Sequence, residues 1–462
     1  MRRTDQRTKS SAFAILALLL ATSFGVGRAL SEEQDAKKAD NEPSAEATPA
    51  SQTIVDPQKA VPEPITPTHK QVRIISLPSD EEPSAMHTFC LDGGGRILAA
   101  CGGTRTSFVR TAEKTEIKTI EEPAEIRVIS PEGKLLKTLG LDFGPSAINV
   151  DDKGTIYVAG NGRVAKLSAE GKTLAVADAP QVAKLGPLPP LPEPKEESEE
   201  SEEEEKAREA KIAEANAKYQ QAIKVYQEAR SAMTAAKDAE AKKAAEADYQ
   251  KALAELGTLS RELYAMRQTP EMIAMQARYS AMRKRAVTGI AASGDDVFVA
   301  VPMVSSYGYA VWRMDADLGN PVKIIDGLRG CCGQMDIQAQ GGVLYVAENS
   351  RSRVVGYDRD GRKVVAFGRR DRKSVEGFGS CCNPMNIRFG PEGEIYTSEA
   401  SLGRIKRFST EGEFLGLVGT AEIIPGCKHV AIDVSKDGKQ VYMLDITRSQ
   451  VVVLAPQQKQ QP

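Results

Sequence analysis

The sequence predicts an all-β six-bladed propeller, closed by an N-terminal strand and interrupted by a long α-helical insertion between blades two and three. Three observations predict it. First, "CCNPMNIRFGPEGEIYTSEASLGRIKRFSTEGEFLGLVG" (381–419) aligns strand for strand with "CCGQMDIQAQGGVLYVAENSRSRVVGYDRDGRKVVAFG" (331–368). Second, each copy reads as four short strands of alternating apolar residues, bounded by Gly- and Asp-rich turns, which is the hairpin signature. A period of about 45 residues is that of a propeller blade. Third, a heptad-patterned segment stands between two of the copies, where the strand pattern stops.

Four further copies begin at "MHTFCLDGGGRILAAC" (86–101), "SAINVDDKGTIYVAG" (146–160), "VTGIAASGDDVFVA" (287–300) and "HVAIDVSKDGKQVYML" (429–444). The last copy lacks a fourth strand, and an orphan strand, "QVRIISLP" (71–78), precedes the first. Lending that strand to the last blade closes the ring and removes the open sheet edges.

The run "NPMNIRFGPEGEIYTSEASLGRIKRFSTEGEFLGLVG" resembles the NHL repeat. It has the Asn-Pro start, the Gly turn, a Tyr-containing second strand, an acidic residue and an Arg-plus-apolar third strand. With all six copies accepted, the resemblance covers 71–190 and 286–455 and implies an NHL-repeat six-bladed propeller of the exported bacterial type. Such a propeller usually binds, although some relatives are lyases, and fold alone does not fix function. The amidating-lyase-like relatives rely on several channel histidines around a metal. This chain has three histidines, and His69 lies beside the N-terminal tether.

Arg2, Arg3, Arg7 and Lys9 precede the apolar run "SAFAILALLLATSFGVG" (11–27), so residues 1–29 read as a signal peptide. The chain is expected to be exported, to the periplasm or beyond; an uncleaved segment would anchor it to the membrane. Residues 30–70 are too polar to form a core and read as a disordered tether, and 456–462 as a disordered tail. A formal charge of −2 excludes nucleic acid as a main partner.

In the insertion, residues 191–285, Ile212, Tyr219, Tyr226 and Met233 recur every seven residues, each followed three later by an alanine. A second set is Ala245, Tyr249, Ala252, Leu256, Leu259, Leu263 and Met266, out of phase with the first. The break at "KDAEAKK" (237–243) predicts a coiled-coil-like helical hairpin; one long helix with a phase slip is the alternative. The stripes either bury each other or receive a protein partner. Thr269 and Pro270 open a short third helix.

Seven cysteines follow the signal, and export permits disulfides. The repeat makes Cys332, Cys382 and Cys427 equivalent positions just ahead of the inner strands of blades four, five and six. With Cys331 and Cys381, five cysteines then meet at one rim of the channel. His429 lies two residues beyond Cys427, and His87, Met335 and Met385 share one inner-strand position. Three readings stay open. The sulfurs form disulfides, or they hold a soft metal ion, Cu or Zn, or they are redox-active thiols. No C-x-x-C-H is present, which excludes covalent c-type haem. Cys90 and Cys101 read as small core fillers.

Glu348, Glu399 and Asp445 end the second strands on the same face, with Arg351, Arg353 and Arg404 beside them. They either brace the blade turns or touch a ligand. The expected function is a binding or scaffolding module, contacting a protein or small-molecule ligand on the face that carries the sulfur rim and the helices. The alternative is a metal- or thiol-dependent enzyme, lyase- or oxidoreductase-like, using the same rim.

Overall fold

The structure is a computed structural model that describes residues 65–77, 84–110, 115–191, 202–268, 270–380 and 382–457. The signal segment, most of the tether, Thr269 and Cys381 lie outside the described residues. The chain divides into two units, one of which gathers 61–189 with 277–462.

That larger unit holds six four-stranded antiparallel sheets, an arrangement consistent with a β-propeller. Sheet one comprises Met86–Leu91, Ile97–Arg110, Thr115–Ile129 and Leu135–Gly140. Sheet two comprises Ala147–Val150, Ile156–Gly160, Arg163–Leu167 and Thr173–Asp178. Sheet three comprises Gly289–Ser293, Asp296–Pro302, Tyr309–Asp315 and Val322–Leu328. Sheet four comprises Ile337–Gln340, Val343–Glu348, Arg353–Tyr357 and Lys363–Phe367. Sheet five comprises Asn386–Phe389, Ile395–Glu399, Arg404–Phe408 and Phe414–Thr420. Sheet six takes Ile432–Val434, Val441–Asp445 and Gln450–Pro456, and its outermost strand is His69–Ser76, paired antiparallel with Gln450–Pro456.

Burial explains the strand patterns. Second strands such as "IYVAG" and "VYMLD" are buried at every position, because both faces of each sheet are covered. The outermost strand Thr173–Asp178 alternates exposed and partly buried residues, as a strand with one wet face does. Six apolar clusters lie between successive sheets. Val128 and Ile148 join sheets one and two, Ala159 and Val299 join two and three, and Val311 and Val346 join three and four. Tyr345 and Phe408 join sheets four and five, Met385 and Met443 join five and six, and Tyr442 and Phe89 join six and one. The first strands neighbour one another in the same order, with that of sheet six beside that of sheet one. Each fully buried large side chain contributes about 1.5–3 kcal/mol, so these six seams hold the unit together.

One element exceeds the expected repeat. The two central strands of sheet one run on as a long hairpin, with 14 and 15 residues. The register shifts between Cys101 and Gly103, where Gly102 and Gly103 take φ of +74° and +95°. A Cβ on Gly102 would stand 1.9 Å from the Pro123 carbonyl oxygen, so the close backbone approach at this bulge requires glycine.

The smaller unit takes the described residues of 190–276. Helix α1 (Glu202–Ala235) packs on α2 (Ala239–Met266), and α3 (Pro270–Lys284) follows. The chain breaks between α1 and α2 because Asp238 takes an extended conformation and its carboxylate accepts from the Ala241 amide at 2.8 Å, an N-cap. Ala222, Ile223, Ala252 and Leu263 are buried, and the rings of Tyr226 and Tyr249 lie 5.4 Å apart. The two heptad stripes thus meet. No described helix is long and apolar enough to cross a membrane.

Candidate functional site

The first strands line a channel whose polar side chains tie distant sheets together. Arg388 stands 3.6 Å from Asp336 of the loop entering sheet four and 3.7 Å from Asp433 of sheet six. The Asp336 carboxylate also accepts from the Ile387 amide at 2.8 Å, and that of Asp433 from the Leu91 amide of sheet one at 2.8 Å. Burial pushes Asp336 up to about 6 against the pull of Arg388, and it raises Asp433 as well. Gln334 donates to the Val430 carbonyl at 3.0 Å and accepts from the Val430 amide at 3.4 Å. Asn149 of sheet two donates to Gln338 of sheet four at 3.3 Å.

These side chains cross the channel between the first strands. The space left among Thr88, Ser146, Thr288, Gln334, Arg388 and His429 is about 10 Å³, room for about one water. A wider depression of about 200 Å³ lies between the turns of sheets one and two, beside Asp92, Arg96 and Lys137. None of the expected site residues lines it. Burial, with His87 nearby, pushes His429 down to about 4, so its ring is neutral at neutral pH. His87 shares a hydrogen bond of 2.9 Å with the Gly102 carbonyl.

The sulfur rim follows from strand register. Ile337, Ile387 and Ile432 pair with Val346, Thr397 and Met443, which makes Cys332, Cys382 and Cys427 equivalent, five residues ahead of each isoleucine. The structure brings these sulfurs together. Cys382 Sγ lies 2.8 Å from Cys331, 3.4 Å from Cys332 and 3.8 Å from Cys427, and Cys331 Sγ is 3.5 Å from Cys332. Cys382 is buried, Cys331 half-buried, and Cys332 and Cys427 exposed. Cys332 and Cys382 adopt the left-handed region, at φ +58° and +66°. No disulfide joins the described cysteines.

The contacts among these thiols shift them, with Cys382 pulling Cys332 down against the other causes. The hydrogen bond with Cys331 is the largest cause that lifts Cys332 to about 12, and the same partner raises Cys382. Cys90 and Cys101 are buried in two separate clusters, and burial raises both. Met335 and Met385 are fully buried in the seams, and Met385 Sδ receives the Asn349 amide at 3.5 Å.

Buried polar anchors position the cysteine loops. Asn349 accepts from the Cys331 amide at 2.7 Å and donates to the Gln334 carbonyl at 3.1 Å. Glu348 accepts from the Arg329 amide at 3.1 Å, Glu399 from Gly379 at 2.7 Å, and Asp445 from Ile424 at 3.1 Å. Each of these amides lies two or three residues ahead of a cysteine. The three carboxylates are at most 1% exposed. The same carboxylates also pair with Arg353 and Arg351, Arg404, and Arg448 respectively. Arg351 is half exposed and Arg404 mostly buried. Glu399 also lies 3.4 Å from Lys406, whose ammonium sits 4.1 Å from the Phe378 ring centre and which burial pushes down to about 8.

Sequence reasoning singled out the sulfurs and carboxylates but not Asp336, Arg388, Asp433, Gln334, Asn349 or Lys406. The available signal was a charged or amide residue inside an otherwise apolar inner strand, as in "MDIQ", "MNIR" and "VAIDV".

No protein-family model matches the chain. Adipocyte plasma membrane-associated protein of Salmo salar is 29% identical over 93 residues, 19% of this chain; the matched stretch spans 22% of that relative's length. Streptogramin B lyase aligns over 83% of this chain and 97% of its own, at 10% identity and a TM-score of 0.42. The Pan2 WD40 domain of Neurospora crassa aligns over 87% of this chain and 99% of its own, at 9% identity and a TM-score of 0.40. The neighbours are propeller-type folds, and at such identity the likeness does not extend to chemistry.

Proposed function

We propose that the chain is an exported binding or scaffolding module. In this reading it is a six-bladed NHL-like propeller in which His69–Ser76 closes the ring and α1–α3 form an insertion between blades two and three. The observation that supports the reading is the side-chain network of Arg388, Asp336, Asp433 and Gln334 that spans the channel between sheets four and six. With about 10 Å³ among Thr88, Gln334, Arg388 and His429, recognition is assigned to the loops around the sulfur rim. There the buried carboxylates hold loops in place, and Arg351 presents a half-exposed guanidinium to a protein or small-molecule ligand. In the helical unit, Tyr264, Met266 and Ile273 are exposed apolar surface that a protein partner would cover. Export rests on the basic and apolar runs of residues 2–27.

A photo-crosslinking residue at position 351 tests the rim against one at Arg362, an exposed turn residue between the third and fourth strands of sheet four. A discrete adduct from position 351, absent from position 362, is the expected result; identical adducts from both would remove the rim assignment. Deleting 65–77 tests closure. The truncated chain is expected to lose cooperative unfolding, and a parent-like melt would mean that the strand does not close the ring.

A further inference from the structure

The sulfurs of Cys331, Cys332 and Cys382 lie within 4.8 Å of one another, and that of Cys427 lies 3.8 Å from Cys382. We propose that they form a binding site for a thiophilic d10 cation, zinc(II) or copper(I). A tetrahedral ion with four thiolates at about 2.3 Å sets sulfur–sulfur edges of about 3.8 Å. Of the six edges, Cys382–Cys332, Cys331–Cys332 and Cys382–Cys427 measure 3.4, 3.5 and 3.8 Å; Cys331–Cys382, at 2.8 Å, opens as an ion enters, and Cys427, beside Cys382, draws in toward Cys331 and Cys332. Among the described residues, only Cys331, Cys332 and Cys382 bring three ligand atoms of His, Cys, Asp or Glu within 4.8 Å of one another.

A disulfide would use one partner of Cys382 and leave the other sulfurs in contact, and a bond between adjacent Cys331 and Cys332 demands a strained ring. One soft ion engages Cys331, Cys332 and Cys382 together, with Cys427 beside Cys382 as the fourth ligand. An all-sulfur donor set also selects against magnesium and calcium, which take oxygen. The scaffold is preorganised, because three separate sheets supply the ligands. Asn349 grips the Cys331 amide, while Glu399 and Asp445 hold the backbone ahead of Cys382 and Cys427. At two equivalent corners the chain holds cysteine at positive φ, where glycine would meet the backbone demand without strain. On binding, each ligating thiol gives its proton to solvent, and no electron is transferred.

The full chain, reduced under anaerobic conditions, is titrated with zinc(II) against a chromophoric chelator and with copper(I) against bicinchoninate. One equivalent of one ion should bind, and Cys382→Ser should weaken it by about 100-fold or more with the circular dichroism spectrum unchanged. Cobalt(II) in the parent should show the visible bands of thiolate coordination, and the variant should lose them. If Cys382→Ser does not fold, Cys332→Ser and Cys427→Ser, both at exposed positions, carry the same comparison. Failure of the reduced parent to take up either ion overturns the site, as does equal affinity in folded serine variants. A Cys331–Cys382 disulfide that forms on reoxidation despite stoichiometric metal overturns it too.

Discussion

Sheets four, five and six end their second strands with Glu348, Glu399 and Asp445, whereas sheet two ends with Gly160 and sheet three with Pro302. The carboxylates reach out to amides at 329, 379 and 424, holding the incoming loop one side chain away from the strand end. Gly160 does the opposite. A Cβ there would stand 2.2 Å from the Gly144 carbonyl oxygen, so the loop lies directly on the strand. One backbone template thus gives two loop heights, and the residue at the strand end selects between them.

The severest way to break this contrast is Glu399→Ala. It strips the carboxylate from the fully buried Lys406, which keeps its bond to the Gly377 carbonyl, and frees the Gly379 amide, so unfolding in urea should show a loss of about 3–5 kcal/mol. Alkylation of Cys382 should accelerate in the same variant.

Asp336→Asn probes the charge that this half of the ring sends into the channel. With its carboxyl raised to about 6, folded Asp336 holds a proton more tightly than the unfolded chain does, so stability falls as pH rises from about 4 through 6. A rise of roughly two units corresponds to about 3 kcal/mol. Melting temperatures across that range should drop more steeply in the parent than in the variant; parallel curves would mean the carboxylate is paired well enough by Arg388 to titrate normally.

Gly160→Ala tests the collapsed loop from the other side. The added methyl overpacks the backbone contact, with an expected cost of about 1–3 kcal/mol, while a neutral result would dissolve the contrast in loop height. Arg351→Ala should be nearly silent in urea unfolding, within about 1 kcal/mol, because its ion pair with Glu348 is half exposed.

The repeat was legible because two copies are long and similar, and because register is a property of sequence spacing. Aligning "CCGQMDIQ" with "CCNPMNIR" made Cys332 and Cys382 equivalent, and the sheets then placed their sulfurs 3.4 Å apart. The heptad stripes were legible for the same reason, and the turn at Asp238 fell where they change phase. The channel network was not. Arg388 meets Asp336 and Asp433 from sheets on either side, and such contacts depend on how far side chains reach across a ring, which spacing alone does not encode. Nor does the repeat foretell the long hairpin of sheet one, since no other sheet shares it.

The Gln334–Val430 pair has a consequence for how this fold can evolve. One amide group, standing ahead of sheet four, donates to and accepts from the backbone of Val430 just ahead of sheet six, so its reach is matched to a single intervening sheet. A fold built by radial repetition can grow by duplicating a repeat. A copy inserted between residues 334 and 430 would part this clasp and strand both of its hydrogen bonds. The sector from sheet four to sheet six is therefore closed to new blades. The chain's extra length, residues 190–276, lies outside it.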